Sequence, residues 1–179
     1  MQARAAYSHR AGDCYLMADY RAVRSRILQE TGELEQVVAR CQSIWDQFQA
    51  TNDERYIDGV AFNLQAFYTG IERVFERIIR EFEEDLPSSA YWHQVLLNLA
   101  ATEGRNQRPA IISQTTRNEL DRYRGFRHVA RNVYGFDLDG GQIALLMQHL
   151  RSTFESVKKD FSRFAEHLTQ LETDNDEAV

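Results

Sequence analysis

Between residues 64 and 82 the apolar positions step by three and four: Leu64, Phe67, Tyr68, Ile71, Val74, Phe75, Ile78, Ile79 and Phe82. Steps averaging 3.6 residues bring all nine to one side of an α-helix. The stripe is too wide for one neighbour to cover, so at least two further helices must pack on it. That requirement predicts a helical bundle. Away from the stripe, Glu72, Arg73, Glu76, Arg77, Arg80, Glu81, Glu83 and Glu84 read as a solvated face with opposite charges four residues apart.

The flanking sequence supplies the partners. From about Met17 to Ala50, Val23, Ile27, Leu34, Val37, Val38, Cys41, Ile44, Trp45 and Phe48 recur at helical spacing, as one long helix or two joined near Thr31-Gly32. "ATNDER" interrupts the pattern, with Asn52 or Asp53 as the cap of the next helix. "DLPSS" ends the central helix, and Ser88 or Ser89 opens a shorter one reaching about Ala101. After the loop "TEGRNQRPAIIS", Ser113 opens a helix through about Tyr134, with Leu120, Tyr123, Phe126, Ala130 and Val133 inward. "GFDLDGG" is a turn in which Asp139 caps a last helix, from Ile143 to about Leu171. The fold class is all-α, an antiparallel bundle of about five helices over residues 17–171. Residues 1–16 lack clean periodicity and read as an N-terminal extension, and 172–179 as a disordered acidic tail.

Charge narrows the function. A formal net charge of -6 excludes coating nucleic acid by bulk attraction, so any RNA or phosphate contact needs a local basic patch. Lys158 and Lys159 are the only lysines, so a preference for Arg is no phosphate signal in itself. Cys14 and Cys41 have no CxxC spacing, which with the lack of a secretory h-region points to a reducing cytoplasm. No apolar run approaches the roughly 20 residues of a membrane span. No Glu-to-His pair at i,i+3 marks a di-metal bundle, and no HExxH, P-loop, GxGxxG or GxSxG occurs. Neither metal nor cofactor is expected.

One segment stands out, "RGFRHVARNVYG" at residues 124–135. Arg124, Arg127, His128 and Arg131 fall in one helical row, and Asn132 and Tyr134 sit just beyond it. From Arg117 to Tyr134 there are five arginines against Glu119 and Asp121. A guanidinium fork suits phosphate oxygens, and His128 is the one group of the row that readily exchanges a proton near neutrality. The bland alternative is a solvated arginine face paired with acids, with His128 structural.

"GIERVFERIIREFEEDLPSSAYWHQVLLNLA" and "RPAIISQTTRNELDRYRGFRHVARNVYGFDLD" resemble the HepT-like branch of the HEPN superfamily. These are small all-α proteins, many of them ribonuclease toxins paired with a minimal nucleotidyltransferase antitoxin. The resemblance runs from about Tyr56 to Leu171 and is most specific in "FRHVARNVYG". It implies a metal-independent ribonuclease, a homodimer whose signature helices share one cleft, and RNA as substrate. The family signature is an Arg, four to six residues, a His, and often a Tyr two residues later. Laid on without a gap, it places the Arg at Arg127, the next residue at His128, the His position at Asn132 and the Tyr at Tyr134. By that resemblance the catalytic set is Arg127, His128 and Asn132, with Arg122, Arg124 and Arg131 on phosphate. Tyr134 would be the AMP acceptor through which the antitoxin silences the toxin.

Asn132 departs from the pattern, because an amide neither takes nor gives a proton. A second register, Arg122 with His128, meets the Arg-to-His spacing but loses the tyrosine. Losing one acid–base group typically costs ~10²–10⁴ in rate. Two readings follow: an endoribonuclease toxin with His128 standing in for the missing His, or a catalytically degenerate nucleotide- or RNA-binding adaptor. A third is a helical interaction protein whose arginine stripe is plain surface.

Overall fold

The computed structural model describes residues 10–83, 91–104, 108–131 and 138–177, the side chains of 10–19, 83 and 174–177 excepted. Five helices carry them: α1 (Arg10–Thr51), α2 (Arg55–Glu83), α3 (Trp92–Ala100), α4 (Gln114–Ala130) and α5 (Gly140–Glu177). No strand occurs among the described residues. The all-α bundle is thus as the stripe requires, and all nine residues of that stripe are buried, at no more than 3% exposure. None of the described helices is long and apolar enough to cross a membrane.

The connection from α1 to α2 is short. Asn52 takes the left-handed conformation at φ 52°, which Asn tolerates better than most residues, and the Asp53 carboxylate accepts the Arg55 N–H at 3.1 Å. The two helices therefore run antiparallel, with Arg73 at 3.3 Å from Glu30 towards one end and the Cys41 thiol donating to the Val60 carbonyl towards the other. At Gly70 they approach so closely that a Cβ would lie 2.9 Å from Leu34 Cδ2. α5 is antiparallel to α1, as Arg24–Thr169, Lys158–Glu35 and Cys41–Met147 contacts record. α4 packs on both α2 and α5, closing a four-helix ring, and α3 lies beside α2 and α4. Aromatic rings fill the centre: Phe67 meets Tyr123 and Phe154, Phe75 meets Phe161, and Phe82 meets Phe164.

Polar anchors fix α3 and α4, which carry the arginine face. Ser113 caps α4 by accepting the Thr116 N–H at 3.1 Å. The buried Asp160 of α5 accepts from the Ser113 N–H at 2.9 Å and the Thr116 hydroxyl at 2.7 Å. Arg108, fully buried, donates to the Leu99 carbonyl at 3.0 Å and so caps the end of α3.

Several boundaries differ from the sequence expectation. α1 is one unbroken helix through Thr31-Gly32, one of the two alternatives the spacing left open, and the Thr31 hydroxyl donates to the Ile27 carbonyl at 2.7 Å. It begins at Arg10, inside the stretch read as an extension. α5 continues beyond Leu171 to Glu177, where an acidic tail was expected; Glu172 is 3.4 Å from Arg24 and 3.8 Å from Arg21, which draws that turn onto α1. α4 ends at Ala130 with Arg131 as its C-cap, and α3 begins at Trp92. Ser88, Ser89, Asn132, Val133 and Tyr134 lie outside the described residues.

Candidate functional site

The last turns of α4 and the start of α3 face each other across an open pocket of about 460 Å³. Arg124, Arg127, His128 and Arg131 line it from α4, and Tyr91, His93 and Gln94 from the α3 side. The expected row of four is therefore brought together. Arg127 and His128 also occupy the final helical turn, where positive side chains offset the negative end of the helix dipole.

Arg127 is the anchored member. Its Nε donates to Thr69 Oγ1 at 3.2 Å, its Nη1 lies 3.1 Å from His93 Nε2, and its Nη2 is 3.5 Å from Glu72 Oε2. His93 Nδ1 in turn lies 2.7 Å from Glu72 Oε1. Arg127 has no proton acceptor of its own, so His93 Nε2 must accept from it. The Nδ1–H then donates to the Glu72 carboxylate, which assigns the neutral tautomer. Trp92 lies against the same ring, centroids 3.7 Å apart.

Electrostatics agree with that assignment. Burial, and then the positive charges of Arg127, Arg131, Arg124 and His128, push His93 down to about 4. Burial pushes Glu72 up to about 7, against the pull of Arg127. Behind them the Tyr68 hydroxyl is held well above its usual range, first by burial and then by Glu72. Arg124 is tied to Asp121 at 2.7 Å, whereas Arg131 is exposed.

Two sequence expectations need correction. Arg122 does not join this pocket. It stands about 140° around the helix from Arg127 and lines a separate cavity of about 170 Å³ with Glu119, Tyr123, His149 and Thr153. The register pairing Arg122 with His128 is therefore not assembled in one place. Glu72, expected on the solvated face, is 2% exposed. It falls only about 20° beyond Ile79 around α2, so the apolar stripe carries it inward, and an acid so near the stripe edge was the available signal. His93 carried no such signal, since no spacing relates it to Arg127.

The arrangement can hold a phosphodiester against several guanidinium groups, with an oriented neutral imidazole on the opposite wall. No curated protein and no solved structure matches the chain significantly. The family model for HepT-like proteins matches residues 59–168, more than half of the chain, and includes every residue that lines the pocket. The chain belongs to the HepT-like family of the HEPN superfamily.

Proposed function

We propose that this protein is a metal-independent endoribonuclease, the toxin of a cytoplasmic toxin–antitoxin pair, acting as a homodimer. The observation that carries the reading is the convergence of Arg124, Arg127, His128 and Arg131 on one pocket in a member of the HepT-like family. Arg127 is held in place before any ligand arrives, by Thr69, His93 and Glu72, so little ordering is needed on binding. Cleavage uses the ribose 2′-OH as nucleophile, and the arginines balance the charge that builds on the phosphorus oxygens. His128 handles a proton that Asn132 cannot. Tyr134, three residues past Arg131, is the AMP acceptor for a minimal nucleotidyltransferase antitoxin, whose adduct would block phosphate access.

Support for the dimer comes from apolar side chains around the pocket: Tyr91, Val95 and Val129 are 75%, 38% and 42% exposed. A second copy covering them would bring two arginine faces to one cleft. The alternative reading, a non-catalytic RNA- or nucleotide-binding module, is favoured by Asn132 at the signature His position and by the partial neutralisation of Arg127 by Glu72.

Labelled tRNA and mRNA incubated with the protein in EDTA test the reading. Cutting by the wild type, lost in Arg127→Ala and His128→Ala with their melting transitions retained, is the expected result. Tight binding without cutting selects the adaptor, and neither binding nor cutting rejects both.

A further inference from the structure

We propose that His93 is the catalytic base of this site, accepting the 2′-OH proton, and that Glu72 is its positioning residue. The proposal rests on the ribonuclease reading and deepens it. The case for both residues is geometric. The His93 side chain is 24% exposed and opens on the pocket, while the Glu72 side chain behind it is 3% exposed and cannot reach a substrate. The carboxylate fixes Nδ1 at 2.7 Å, so Nε2 is the nitrogen left to work. That Nε2 is occupied by Arg127 at 3.1 Å. A phosphate oxygen that takes the Arg127 Nη1 hydrogen releases the Nε2 lone pair in the same movement.

The step balances. The 2′-oxygen attacks the adjacent phosphorus as its proton passes to His93 Nε2, and the P–O5′ bond breaks with O5′ protonated by His128. The products are a 2′,3′-cyclic phosphate and a free 5′-hydroxyl; the imidazolium of His93 then loses its proton to water and His128 regains one. Glu72 stabilises the transient imidazolium across the Nδ1–H bond.

Substrate also tunes the base. The groups acting on His93 are Glu72 on α2, at 2.7 Å, and Arg124, Arg127, His128 and Arg131 on α4; Tyr68 and Glu76 act in turn on Glu72. Besides burial, it is the cations of α4 that hold it at about 4. A bound phosphodiester offsets those cations, so the affinity of His93 for a proton rises when RNA is in place.

Two measurements test this. In the metal-free cleavage assay, His93→Gln keeps an acceptor and a donor at the same place but takes no proton. Its kcat should fall ~10²–10⁴-fold with KM and the melting transition little changed. Added imidazole should restore part of the rate to His93→Ala, and Glu72→Gln should lower kcat above pH ~7, where the wild-type carboxylate is ionised, and leave it little changed in acid. Independently of any variant, the NMR titration midpoint of the His93 ring should move up when a 2′-O-methyl oligonucleotide binds. His93→Gln cutting within ~3-fold of a wild type that does cut, or an unmoved midpoint on binding, overturns the role of His93 and leaves the ribonuclease reading standing. A wild type that binds RNA but never cuts it removes both.

Discussion

Around Glu72, His93 and Arg127 two titrating groups set the charge of the network, and the effect of each on stability has a definite sign. The folded-state value of His93 is depressed, from roughly 6.5 to about 4. The unfolded chain therefore binds a proton that the native one refuses. Stability contributed by the neutral ring is complete above pH ~6.5 and is lost as pH falls towards 4. Glu72 acts in the opposite sense: its value is raised to about 7 by burial, so its contribution is largest in acid and fades as pH rises through 7. We expect His93→Gln to flatten the acid side of the stability profile, and Glu72→Gln to flatten the fall between pH ~4.3 and 7. Urea unfolding at successive pH values checks both; parallel wild-type and His93→Gln curves below pH 6.5 would refute the assignment of a buried neutral imidazole. Cys41 shows the same principle in simpler form. Burial alone pushes its thiol up to about 12, and its Sγ lies 3.5 Å from Met147 in the core. Alkylation of Cys41 by iodoacetamide should follow unfolding, not precede it.

At the scale of elements, α4 is placed by one buried carboxylate. Asp160 takes the Ser113 N–H and the Thr116 hydroxyl, and Arg163 pairs with its other oxygen at 3.1 Å. Asp160→Ala leaves two donors unsatisfied and should cost about 2–4 kcal/mol, with the arginine face of α4 loosened as a result; Thr116→Ala, which removes one donor cleanly, should cost about 1 kcal/mol. Denaturant melts of both variants measure this, and equal losses would show that Asp160 does not link the two helices. The helices themselves are legible in sequence, because the spacing of Leu64 to Phe82 and the caps at Asp53, Ser113 and Asp139 are local signals. Their ends are less so: α5 runs on to Glu177, and Glu172 in that stretch is paired with Arg21 and Arg24, partners far away in the chain. The site divides in the same way. The row Arg124, Arg127, His128 and Arg131 follows from helical spacing alone. The inward turn of Glu72 and the meeting of His93 with Arg127 depend on how α2, α3 and α4 pack, which spacing within one helix cannot express.

For the whole molecule, an acidic chain of net charge -6 brings three arginines and two histidines together on one pocket. Long-range attraction to RNA is weak, so RNA binding depends on the local charge of that pocket. The measurement that bears on this most directly is the affinity of a 2′-O-methyl RNA oligonucleotide over a salt series, for the wild type and for an Arg124→Ala/Arg131→Ala double variant. Arg124 and Arg131 act on this network through charge, but neither makes the contacts that join Glu72, His93 and Arg127, so those contacts are kept. If the pocket holds phosphates, the variant binds at least ~10-fold more weakly, and its slope of log K against log salt is shallower by roughly 0.7 for each lost phosphate contact. Equal affinity and equal slope would mean that the arginine face of α4 is solvated surface, and that RNA, if it binds at all, binds elsewhere.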